Sequence, residues 1–162
     1  MPSLRIRSTA GALSAALLLT PLGAAADTKA WDQPTVAKLT ADLAKACVAI
    51  YDEFYAEQGL NAKLGSGDAG DAYRLRQKLH RLEEESMGLA GALAAGRGKD
   101  ATTTRVQDVG VLARDLQVLL ARMFVEAPLQ QRVSAARAIW VQILPYYGIA
   151  APSDEAPKNV DR

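Results

Sequence analysis

From Asp32 onward the apolar residues of this 162-residue chain recur three or four positions apart in four successive runs, and that spacing leaves little room for anything but helices. Val36, Leu39, Leu43, Cys47, Ile50 and Phe54 form the first run, one stripe of a helix expected from Asp32 to about Gln58. Asp32 ahead of Pro34 suits a helix start, and Gly59 suits a stop. Leu75, Leu79, Leu82, Ser86, Leu89 and Leu93 form the second run, which ends at Gly96. The Gly- and Asp-rich segment from Gly65 to Asp71 separates the two.

The third run is the widest. Thr104-Arg105-Val106-Gln107 fits a capping box, after which Val109, Leu112, Ala113, Leu116, Leu119, Leu120 and Met123 lead to Phe124. This breadth predicts the most buried helix of the set, or a seam for a homodimer. Pro128 suits the first turn of a fourth helix carrying Leu129, Val133, Ala136, Trp140, Ile143 and Tyr147, with Pro145 ending or kinking it and Gly148 just beyond. No strand pattern is convincing. The expectation is an all-α fold, with connections of about 10, 8 and 3 residues favouring an up-down-up-down antiparallel four-helix bundle.

The chain ahead of the first helix reads as an address. Arg5 and Arg7 precede an apolar run from Ala10 to Leu22, and Ala24-Ala25-Ala26 offers a cleavage site before Asp27. That run falls short of the roughly 20 residues of a spanning helix, so it predicts a cleaved signal peptide and no stable membrane anchor. The domain plan is therefore residues 1–26 as signal peptide, 27–150 as bundle and 151–162 as a flexible C-terminal tail. The Ala- and Arg-rich composition suits a GC-rich bacterium, making the periplasm the expected compartment.

Two of the 19 lysines and arginines belong to residues 1–26, leaving 17 against 18 acids and a mature balance of −1. Such balance argues against nucleic acid, or an anionic membrane, bound through bulk charge. Cys47 is the only cysteine, so no intramolecular disulfide forms and stability must come from packing. Its place on the first stripe marks it as a small core residue, against the alternative of a reactive thiol.

The expected topology gathers Tyr51, Phe54, Tyr55, Tyr73, Met123 and Phe124 at one pole, and Trp31, Trp140, Tyr146 and Tyr147 at the other. Tyr51 and Tyr55 share a helix face and, with Tyr73, are the candidate residues for a protein partner or a small apolar ligand. The bland alternative is that they close the end of the bundle. His80, the lone histidine, is the weak metal or haem candidate. An exported four-helix bundle is similar in architecture to cytochrome b562-like and cytochrome c′-like proteins, which carry haem. The resemblance ends there. One cysteine cannot make Cys-x-x-Cys-His, the first helix has no methionine and the fourth no histidine. Met87 lies about 10 Å along the helix from His80 and Met123 about 14 Å away, too far to share an iron.

His80 and Glu83 have the i, i+3 spacing of a metal pair, but a di-iron bundle needs a second Glu-x-x-His element. Glu83-Glu84-Glu85 reads as a solvated face neutralised by Arg76, Lys78 and Arg81. Gly-rich phosphate loops, nucleophile elbows and a second histidine or cysteine are missing, so no catalytic activity and no cofactor are expected. The leading expectation is an exported binding protein, with a cofactor-carrying redox bundle centred on His80 as the alternative.

Overall fold

The computed structural model describes residues 28–60, 69–121 and 127–151. It is all-helical, consistent with a four-helix bundle: α1 (Gln33–Leu60), α2 (Ala69–Ala94), α3 (Lys99–Leu120) and α4 (Ala127–Tyr147), with no strand among the described residues. The segment expected to be a signal peptide, residues 152–162 of the expected tail, and Met123 and Phe124 lie outside those residues. Among the described residues no helix is long and apolar enough to cross a membrane.

Asp32 starts α1 as expected. Its backbone carbonyl accepts from the Val36 amide at 2.9 Å, and its carboxylate accepts from the Thr35 hydroxyl at 2.6 Å. α1 runs on through Gly59 to Leu60. α2 and α4 end the same way, each on a glycine in the left-handed region. Gly96 (φ +80°) donates to Leu93 while Arg97 donates to Ala92, and Gly148 (φ +73°) donates to Pro145 while Ile149 donates to Leu144. Both are Schellman closures, in which two otherwise unpaired carbonyls of the last turn are satisfied. Pro145 lies inside α4, which ends two residues later.

The third helix departs from the sequence reading. α3 begins at Lys99 behind Gly98, with no side-chain cap, so Thr104 is an interior residue and its capping box does not form. The tight turn at Gly96 restarts the chain early, and Asp100 places a carboxylate in the first turn, where the helix dipole favours it. The Thr102 and Thr103 hydroxyls then donate back to the Gly98 and Lys99 carbonyls, which lets a run of β-branched residues sit within a helix.

α1 packs against α2 and α4, and α2 also packs against α3. α3 and α4 approach each other only slightly. Leu75, Leu89, Leu93, Leu129 and Ile143 are almost wholly withdrawn from solvent in the shared core. α3 is thus a flanking helix. Only Thr102, Val106, Val109, Leu112 and Leu116 are buried along it, whereas Val111 and Val118 are about half exposed at 54% and 48%.

Trp31, Gln33, Thr102 and Tyr147 lock one end of the molecule. The Gln33 amide donates to the carbonyls of Leu93 and Arg97 at 3.1 and 3.0 Å, fastening the start of α1 to the end of α2. Trp31 meets Tyr147 edge-on at 5.3 Å, and the Tyr147 and Thr102 hydroxyls share a buried hydrogen bond of 2.8 Å.

Candidate functional site

α3 and α4 do not pack closely on each other, and an apolar cleft of about 610 Å³ is lined by both. Val106, Val109, Gly110, Ala113, Leu116 and Leu120 line it from α3, and Val133, Ala136, Trp140 and Leu144 from α4. It reaches through to Leu43, Cys47 and Ile50 of α1 and Leu79 and Leu82 of α2, so its deepest surface is the core itself. Gln107, Gln117, Ser134, Arg114 and Arg137 supply the polar groups, all on exposed residues.

Small side chains are part of the lining. Gly110 and Ala113 contribute from α3 and Ala136 from α4, and a Cβ on Gly110 would stand 3.5 Å from the Trp140 ring, in ordinary van der Waals contact. The size falls in the range of about 300–1,000 Å³ typical of small-molecule sites, and the lining has their character, mostly apolar with a few polar groups.

Cys47 lies at the bottom of the cleft yet is only 2% exposed. Burial pushes its thiol pKa up; a hydrogen bond with Ser86 works against that rise, and the charge of Glu83 adds to it. A neutral thiol there behaves as another apolar lining group. Ser86 is wholly buried and its hydroxyl donates to the carbonyls of Leu82 and Glu83 at 2.7 and 2.9 Å, the expected back-bond within α2.

The tyrosines form a separate feature. Tyr51 is half-buried against the core and its ring sits 5.4 Å from Tyr55 and 5.5 Å from the His80 imidazole. Tyr55 and Tyr73 are each 52% exposed. Tyr73 does not join the Tyr51–Tyr55 pair; the Arg76 guanidinium lies 5.2 Å from its ring, and its hydroxyl accepts from Gln77 at 2.7 Å.

The His80 side chain is 55% exposed, with Glu83 at 3.4 Å from Nδ1 and Glu84 at 3.5 Å from Nε2. Among the described residues no group of three His, Cys, Asp or Glu side chains is placed to hold a metal ion. The glutamate run is neutralised differently from the sequence expectation. Glu85 pairs with Arg105 of α3 at 2.9 Å, while Lys78 turns to Asp115 of α3 and Arg76 to Tyr73.

No protein-family model matches this chain, and no curated protein or solved structure is significantly similar to it. Sequence reasoning missed the cleft, since periodicity shows which face is apolar but not whether a neighbour covers it. The available signal was the breadth of the third stripe together with Gly110 and Ala113 within it.

Proposed function

We propose that this is an exported, non-catalytic binding protein that takes a small apolar ligand into the cleft between α3 and α4. The observation carrying this reading is an apolar cleft of about 610 Å³ that extends down to core side chains, because such surface gains stability when a ligand withdraws it from water. Export to the periplasm rests on the sequence of residues 1–26, with its basic start, apolar run and small residues before Asp27. An up-down-up-down antiparallel order accompanies the proposal. It is supported by the contacts of the α1 start with the ends of α2 and α4, through Gln33–Leu93 and through the Lys29 amide donating to the Pro145 carbonyl.

The test is a homologous series of straight-chain alcohols titrated into the purified protein by calorimetry. Each added methylene buried in the cleft should contribute about 0.8 kcal/mol, roughly a fourfold gain in affinity, until the cleft is filled and the gain stops. Absence of saturable binding across the series contradicts the proposal.

A second reading places a protein partner on the tyrosine pole, favoured by Tyr55 and Tyr73 each exposing about half of a large aromatic side chain. Crosslinking in the native compartment through a photoreactive residue at position 55 tests it. The cofactor alternative at His80 rests on that histidine and its two neighbouring glutamates alone.

A further inference from the structure

The charge around the cleft is one-sided. Arg114 lines it from α3 and Arg137 from α4, and among the described residues no aspartate or glutamate lines it. In a chain whose acids and bases nearly balance, this local excess of positive charge marks the cleft. Asp115, beside Arg114 in sequence, is occupied by Lys78 of α2, and Arg114 itself has no ion pair with any described residue. Arg137 has an interaction of its own within the protein, so Arg114 is the better placed of the two to meet a ligand.

Resting on the cleft reading above, we propose that the ligand is an amphiphile with a single anionic head, a carboxylate, sulfate or phosphate ester. Its apolar body enters the cleft while the head pairs with Arg114 and, from the facing helix, Arg137. A guanidinium presents a planar fork of donors that matches such oxyanions two bonds at a time, and a pair formed at the edge of an apolar cleft is screened less than one in open water. The lining extends from Val106 to Leu120 along α3, and Arg114 stands eight residues from its Val106 end, about 12 Å of helix along which the body can lie. A second copy of this chain is a poorer occupant. In a two-fold interface the same patch meets itself, which would set arginine against arginine.

Calorimetric titration of the purified protein with dodecanoate and dodecyltrimethylammonium below their micellar concentrations, and with dodecanol below its solubility limit, separates the head from the body. Dodecanoate should bind about tenfold or more tighter than dodecanol, and the cationic amphiphile more weakly than either. In Arg114→Gln the preference for dodecanoate over dodecanol should shrink severalfold, in Arg137→Gln by less, and added salt should reduce it in the wild type. Equal affinity for dodecanoate and dodecanol, or a preference that survives in the Arg114→Gln/Arg137→Gln double variant, overturns the anionic head while leaving the apolar cleft standing. Failure of all three to bind overturns both. A concentration-dependent dimer in sedimentation that excludes the amphiphiles also overturns both, in favour of a second copy.

Discussion

Cys47 and Tyr147 are two weak acids that the fold keeps in their neutral form. Burial raises both, with the Ser86 hydroxyl opposing the rise at Cys47 and the Thr102 hydroxyl opposing it at Tyr147. A raised acid binds more protons folded than unfolded once the pH passes its ordinary value, so stability should fall above about pH 8.5 for the thiol and about 10 for the phenol. Urea unfolding at pH 7 and pH 10 should show the midpoint dropping, and Cys47→Ala should drop less over that interval whatever its absolute stability. An equal drop in both would exclude the thiol as a contributor. Tyr147→Phe should cost about 1 kcal/mol, since Thr102 keeps its bonds to Gly98 and Lys99 while losing the phenol. The burial of Cys47 and Ser86 was legible, because both stand at stripe positions. The Thr102–Tyr147 bond spans 45 residues, and no local pattern announces it.

Among the helices, the same substitution, glycine to alanine, should act in opposite directions at different positions. Gly96 and Gly148 adopt positive φ in the two Schellman closures, so alanine at either should destabilise by about 1–2 kcal/mol. Gly91 lies within α2 with nothing within 4 Å of where a Cβ would stand, so Gly91→Ala should stabilise by about 0.5–1 kcal/mol. Thermal unfolding of the three variants checks the signs together. Helix number and most boundaries were readable because the apolar period persists through each run. The start of α3 was not. A local match to the capping box competed with the tight turn at Gly96, and the turn decides where the next helix can begin.

At the scale of the molecule the decisive feature is an interface left open. The third stripe is wide, which by sequence suits a central helix; in the structure its breadth is divided between a face on α2 and a face on the cleft. Aromatic residues such as the tyrosines are conspicuous in sequence, whereas a cleft built from glycine, alanine and ordinary core residues is not. Ala113→Phe should fill that space, holding or raising the melting temperature while weakening alcohol binding about tenfold or more, which a dye-displacement titration would read. The most direct measurement is a ¹H–¹⁵N NMR titration of the protein with decanol. Saturable amide shifts should concentrate between residues 106 and 120 and between 133 and 144. Shifts confined to the neighbourhood of Tyr51, Tyr55 and Tyr73, or none that saturate, would contradict binding in the cleft.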